Sequence, residues 1–405
     1  MIILGLLIIL TCAYCAYWVA RVQRIDRMTA ALPGSPTLPL LGNGMMFFGT
    51  TEKILQKLNE VGDIALKAKG AIKIWLGPKL YVAIANPEDA QIVLENCLDK
   101  DVVYRFLQPW LGHGLFIAPL NLWKTHRKVL LPVFHNKIVE EYLGVIAEQA
   151  HVLVKRLKER ADGREFDVLK YITACTLDIV FDGKLRAILD LLFGREIDFT
   201  DEQLREHIDS ITIAGNDTTA LVISYTLVLL GIHQDVQDRV LQEQISIFEE
   251  STKGAEKEDL QKMNYLERVI KESMRLYTVV PIIARKIDKD IYLPACGTTL
   301  PAGVGAVIGA FVTHRWTKIW GENANDFDPD RFLPERSINR HPAAFLPFSY
   351  GSRNCIGRNF GMLIMKSVIS SVVRSYKLKA EDVGPLKIEM LLFPIKGHLL
   401  KISKR

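Results

Sequence analysis

The sequence predicts a mainly α fold with small β sheets behind an N-terminal membrane-spanning helix, on three observations. Residues 1–20 contain no charged side chain and are dominated by Ile, Leu, Ala and aromatics. At a rise of 1.5 Å per residue such a run spans a hydrocarbon core of roughly 30 Å. Apolar residues recur at helical spacing through 122–160, 167–181, 201–232 and 260–277. Strand-like alternation is short, as in residues 72–84 around Gly77-Pro78-Lys79, which read as a hairpin.

The apolar N-terminus reads as an uncleaved anchor. A cleaved signal peptide carries its basic residues ahead of a shorter apolar core, whereas Arg21, Arg24 and Arg27 follow this one. The positive-inside rule then leaves the following chain cytosolic, with Tyr14, Tyr17 and Trp18 near the interface. Residues 21–40 read as a basic, Pro-rich linker in which Pro33, Pro36 and Pro39 favour a stiff extended path. Residues 41–405 read as one large domain. Within it Asn86-Pro87 opens a helix, with Pro at a permitted first-turn position. Thr200-Asp201-Glu202-Gln203 is a capping-box sequence ahead of a helix of roughly 30 residues, about 45 Å, enough to cross the domain.

Bulk properties exclude some classes. A total of 51 Lys+Arg against 46 Asp+Glu leaves +5, a mild charge without the clustered basic run of a nucleic-acid binder. Six cysteines are scattered, suggesting neither a disulfide framework nor a structural zinc site. The run Gly303-Val304-Gly305-Ala306-Val307-Ile308-Gly309 looks like a dinucleotide fingerprint, but its third glycine is one place late. Ala310, Val312 and His314 read as continued strand alternation, so no nucleotide is expected to bind directly.

The most informative run is Phe348-Ser349-Tyr350-Gly351-Ser352-Arg353-Asn354-Cys355-Ile356-Gly357. Its spacing suits a tight loop presenting one thiolate to an iron, with Gly351 and Gly357 expected to supply angles and close approaches that a Cβ forbids. Helical periodicity resumes after Gly357, placing Cys355 near a helix N-terminus, where an anionic sulfur is favoured; Arg353 adds a cation two residues away. Midway along the long helix, Ala214-Gly215-Asn216-Asp217-Thr218-Thr219 interrupts an apolar face, and Gly215 leaves room for an approach to the backbone. Alone, this reads equally as a Gly-containing kink with satisfied polar groups. Glu272 and Arg275 share a helix face, a pairing that contributes little on a surface. Trp123 and Arg127 share another.

In these motifs, over nearly its whole length, the chain resembles the cytochrome P-450 family of haem-thiolate monooxygenases. The runs at 172–178 and 214–217 look most like the family-4 branch, insect type. The resemblance implies the P-450 fold for 41–405 and haem b ligated by Cys355 in a loop with Phe348 and Gly357. It implies Trp123, Arg127, Arg285 and Arg353 at the haem propionates. Asp217 and Thr218 would form the acid–alcohol pair that delivers protons during oxygen activation. Glu272, Arg275 and Arg331 would form a structural clamp behind the ligand loop. A thiolate ligand favours O–O cleavage by pushing electron density toward iron.

The resemblance further implies an endoplasmic reticulum membrane location with a cytosolic catalytic domain. NADPH-cytochrome P-450 reductase would dock on the basic face near Cys355, with cytochrome b5 as a second donor. One atom of O2 would enter an apolar substrate: a fatty acid, hormone or xenobiotic. Phe106, Trp110, Ile211, Ala214, Val280, Ile282 and Ile395 would line the pocket. Some relatives of the branch esterify haem through a Glu at the place of Ala214, a link this chain cannot form.

One departure is large. After Phe181 the chain passes through Asp182-Gly183-Lys184 to Leu185-Arg186-Ala187-Ile188-Leu189-Asp190, a segment similar to the family helix just before the long one. Two long helices and their loop, which roof the pocket in relatives, have no counterpart. The alternative to a monooxygenase is therefore a truncated haem-binding paralogue without turnover.

Overall fold

The computed structural model describes residues 2–38, 41–135, 140–185, 199–249, 251 and 253–405. Its principal helices are α1 (Ile2–Met28), α2 (Thr51–Lys67), α3 (Pro87–Asn96), α4 (Leu120–Leu130), α5 (Leu143–Leu157), α6 (Leu169–Ile179), α7 (Asp201–Ile232), α8 (Gln234–Phe248), α9 (Asn264–Leu276) and α10 (Arg358–Ser375). The largest sheet takes β1 (Ala71–Leu76), β2 (Lys79–Ile84), β3 (Ile283–Lys286) and β4 (Gly305–Ile308) in the order β1-β2-β4-β3, with β2 and β4 parallel. The fold is therefore mainly helical with small sheets, as expected.

Several local signals act as read. Ala71–Leu76 and Lys79–Ile84 pair antiparallel as the expected hairpin. Asn86 caps α3 by accepting from the Glu88 N–H, and Thr200 and Gln203 form the reciprocal capping box of α7. From Thr219 to Gly231 α7 is buried on every side, against α6, α9 and α10. That all-round burial is why its second half reads as uniformly apolar.

Other expectations change. The helix read as an anchor continues through Met28 into the stretch read as linker; there Ile25 is buried and Arg24 pairs with Asp290 at 2.7 Å. The segment 122–160 splits because Pro132 cannot continue the ladder: α4 gives way to a 3-10 turn over Leu131–Phe134 before α5. Ala310–Thr313 forms one helical turn, not continued strand, held by Thr313 Oγ1 bonding Ala85 O at 2.8 Å. Of the segment likened to the helix just before the long one, residues 186–190 lie outside the described residues.

Glu272 and its arginines are core, not surface. Arg275 grips the Glu272 carboxylate through Nε and Nη2, each at 2.7 Å, and Arg331 Nε reaches Oε1 at 3.2 Å. All three side chains are buried. The remaining guanidinium donors are used on chain carbonyls: Arg275 on His314 and Ala324 (2.7 and 2.6 Å), Arg331 on Trp320 (2.7 Å) and Asn323. The His314 ring continues the network, accepting from the Leu346 N–H at Nε2 (2.8 Å) and meeting Thr278 Oγ1 at Nδ1 (2.7 Å). Leu346 stands two residues before the loop that carries Cys355.

Glu272→Ala leaves two guanidiniums buried without a counter-charge and is expected to cost about 3–5 kcal/mol, read as a lowered urea midpoint. Glu60→Ala, which breaks the exposed Lys57 pair, should change it by less than ~1 kcal/mol. A second expectation concerns pH. Burial, then Arg275 and Arg315, push His314 down to about 3, and burial pushes His207 and His398 to about 4. Their folded values lie below the unfolded one, so the unfolded chain takes up protons first and stability is lost as pH falls below about 6.5, by ~1.4 kcal/mol per unit for each group. Urea midpoints between pH 7 and 5 should fall with that sign, and His314→Gln should flatten the slope.

Candidate functional site

The cysteine loop is built from one tight turn. Ser349 takes φ 61, uncommon for a residue with a side chain, and Gly351 follows at φ 73. A Cβ on Gly351 would stand 2.7 Å from the carbonyl oxygen of Leu94, so glycine is required there for both angle and approach. The Cys355 N–H closes the loop on Phe348 O at 2.9 Å. Gly357 does not meet the expectation placed on it: its φ is −92 and the nearest atom to an added Cβ is 3.8 Å away. It acts instead as the N-cap residue of α10, and its N–H hydrogen-bonds the Cys355 sulfur. Phe348 packs against the main core beneath Arg358, 5.8 Å from its ring.

The Cys355 thiol is accessible, although protein surrounds it on most sides. Burial pushes it up, against the sequence-based expectation, while the Gly357 N–H, Arg127 and Arg358 pull it back. Arg353 is not among those cations. It turns away, donating to Leu98 O at 2.7 Å and to Ala118 O. Arg127 takes its place near the sulfur, donating to Asn354 O (2.8 Å) and Oδ1 (2.7 Å). Trp123, buried on α4, lies between the two arginines at 5.6 Å from Arg127 and 4.9 Å from Arg353.

Behind Trp123 is a cluster of positive charge. Arg285 on β3 and Arg353 are buried, the Nε of each has no hydrogen-bond partner, and Lys100 stands close enough to perturb with them. Burial and mutual repulsion push Lys100 well down and Arg353 to about 10. Lys100 lies over the rings of Tyr104 and Phe116 at 4.3 and 4.4 Å. Among the described residues none of the three forms an ion pair with a carboxylate. Buried charge left in this state is expensive, and a ligand with two carboxylates, as haem has, supplies what it lacks. The residues present therefore fit that group.

Lys100 was not legible in the sequence, where Asp99-Lys100-Asp101 looks like a solvated charge run. Folding takes both aspartates away from it: Asp99 accepts from the Leu120 N–H at 3.0 Å, and Asp101 binds Lys79 and the Tyr81 hydroxyl.

On α7, Ala214 is exposed and Asp217 half-buried, its carboxyl pushed up by burial. Thr218 Oγ1 donates back to Ala214 O at 2.6 Å, the satisfied back-bond the sequence allowed, within an uninterrupted helix. The space expected at Gly215 is filled by Val180, which an added Cβ would meet at 3.3 Å. Of the pocket candidates, Ile211 is buried against the Trp123 cluster and Val280 packs on the main core, while Phe106, Trp110, Ile282 and Ile395 are 67%, 54%, 36% and 39% exposed.

Comparison with known proteins bears on this site. The family model for Cytochrome P450 matches residues 32–187 and 181–402, two segments that meet at the gap after Phe181. The chain is 30% identical to Cytochrome P450 4V2 of Homo sapiens, over 91% of its own length and 88% of the relative's. It is 30% identical to Cytochrome P450 4c3 of Drosophila melanogaster (92% and 89%) and 28% identical to Cytochrome P450 4c21 of Blattella germanica (93% and 94%). The human alignment runs to 468 positions, more than the 405 residues of the chain, so the relatives carry residues that this chain lacks.

Lys100→Gln should speed haem loss to excess apomyoglobin about tenfold, on the scale of one charge-assisted hydrogen bond. Lys124→Gln, at an exposed position on α4, should not change it.

Proposed function

This chain belongs to the cytochrome P450 family, in its family-4 branch, and on that premise we propose that it inserts one atom of O2 into an apolar fatty acid, hormone or xenobiotic, with electrons from an NADPH-dependent reductase. The observation that carries the reading is the accessible Cys355 thiol beside a cation cluster, Lys100, Arg285 and Arg353, that forms no ion pair with a carboxylate among the described residues. Haem b is the family's cofactor, and when bound it supplies the redox and oxygen chemistry.

The chain's own residues do the rest. Cys355 would ligate the iron through its sulfur, and Arg127, bonded to Asn354, holds the loop that carries it. Trp123, Arg353, Arg285 and Lys100 would hold the carboxylates of the cofactor. Asp217, its carboxyl pushed up by burial, is the acid that takes up and releases the proton, and Thr218 can pass it on by turning its hydroxyl away from Ala214 O. Glu272, Arg275 and Arg331 serve as the clamp behind the loop and take no part in chemistry. Exposed Lys124, Lys128 and Arg358 beside the loop offer a basic surface to the reductase and to cytochrome b5. The exposed apolar length of α1 suits an anchor in the endoplasmic reticulum membrane, with residues 41–405 as a cytosolic catalytic domain. The open Phe106, Trp110, Ile282 and Ile395 are consistent with a pocket that has lost its roof helices. Retention of the Asp217–Thr218 pair favours turnover over a paralogue that only binds haem.

The reduced, CO-bound protein is expected to give the spectrum of thiolate-ligated haem, and Cys355→Ala should lose it. Asp217→Asn should keep that spectrum while lowering product formed per NADPH by about 10²-fold. Unchanged coupling in that variant would remove Asp217 from the proton path.

A further inference from the structure

The acid on α7 is held by a hydrogen-bond chain that reaches another helix. Asn216 Nδ2 donates to Asp217 Oδ1 at 3.2 Å. Asn216 Oδ1 in turn accepts from Thr176 Oγ1 on α6 at 2.6 Å. Both Asn216 and Thr176 are buried, at 6% and 0% exposure. Thr176 has other acceptors within reach, the carbonyl oxygens of Ile172 at 3.0 Å and Thr173 at 3.2 Å.

This chain can satisfy both protonation states of Asp217. When Asp217 is ionised it is acceptor-only, so the amide N–H must face it, and Thr176 must give its single proton to the amide oxygen. When Asp217 is protonated it becomes a donor. A primary amide carries its acceptor and donors at nearly identical positions, so turning Asn216 over presents Oδ1 to the carboxyl proton and Nδ2 to Thr176 Oγ1. Thr176 then turns its own proton to Ile172 O. Every group stays paired, and only two side-chain torsions change. An aliphatic residue at 216 would leave the carboxylate without this donor, and a residue that could only donate would repel the protonated form.

We propose that Asn216, backed by Thr176, is a positioning residue for proton delivery: its reversible amide lets Asp217 take up and release a proton in place. The inference rests on the reading of Asp217 as the acid, and it asks nothing of the gap after Phe181.

The test uses the full-length, haem-loaded protein in membranes, with Asn216→Leu, Thr176→Val, Thr176→Ser and Asp217→Asn. The first readout does not need turnover. The infrared band of the Asp217 carboxyl, identified by its loss in Asp217→Asn, is titrated in the resting protein. Asn216→Leu should move its midpoint up by about one pH unit, because the bond lost by the charged carboxylate is stronger than the one lost by the protonated form. Thr176→Val should move it part of the way, and Thr176→Ser, which restores the hydroxyl, should bring it back. The second readout is peroxide formed per NADPH, with dodecanoic acid as probe substrate and added reductase; Asn216→Leu should raise it several-fold. A midpoint and a peroxide yield unchanged in Asn216→Leu and Thr176→Val would overturn the role of Asn216 if Asp217→Asn still uncouples. Full coupling in Asp217→Asn would instead overturn the role of the acid itself. Should Asn216→Leu lose the thiolate-type CO spectrum, the isosteric Thr176→Val decides by the same midpoint, with no shift counting against the proposal.

Discussion

A single buried carboxylate, Glu272, is the constraint on which the haem side of this structure depends. It neutralises Arg275 and Arg331 at once and accepts from the Asp328 N–H at 3.0 Å. Through the donors left on those arginines it gathers the carbonyls of residues 314, 320, 323 and 324. From His314 the chain of bonds passes to the backbone of Leu346, and from there the loop begins. A neutral core could not do this. Apolar packing is nondirectional, whereas a carboxylate between two forked guanidiniums fixes distances and planes.

The charge around the site is arranged in two unlike parts. Near Cys355, Arg127 and Arg358 face a thiol that burial pushes up, and an iron is the partner that would reverse that. Behind Trp123, Lys100, Arg285 and Arg353 form a concentration of charge that makes no ion pair with a carboxylate among the described residues. Under the proposed function, haem would meet both parts, with iron for the sulfur and carboxylates for the cations. The acid on α7 is a third case: Asp217 is raised by burial alone, and its neighbour Asn216, not a cation, governs its surroundings.

Much of the frame was legible in the residues. The apolar N-terminal helix, the turn of the hairpin at 71–84, the Asn86 and Thr200 caps and the long helix all depend on groups within four or five positions of each other. Local hydrogen bonds and periodicity decide such features. The Cys355 motif and the Glu272 pair were also visible, though the pair reads as a surface contact until its burial is known. The path of α1 beyond residue 20 was not visible, because it depends on Asp290 and the buried seat of Ile25.

By itself the sequence determined the family pattern, the thiol at Cys355, the long helix with its cap, the hairpin at 71–84 and the gap after Phe181. Only the tertiary structure decided that Arg127 and not Arg353 faces the sulfur, that Gly351 and not Gly357 needs to be glycine, and that Lys100 joins Arg285 and Arg353. It alone also tied Asn216 to Thr176. The reason is physical. A motif is a fixed spacing along one backbone, but the direction of a long side chain and the charge it meets are set by elements that only folding brings together.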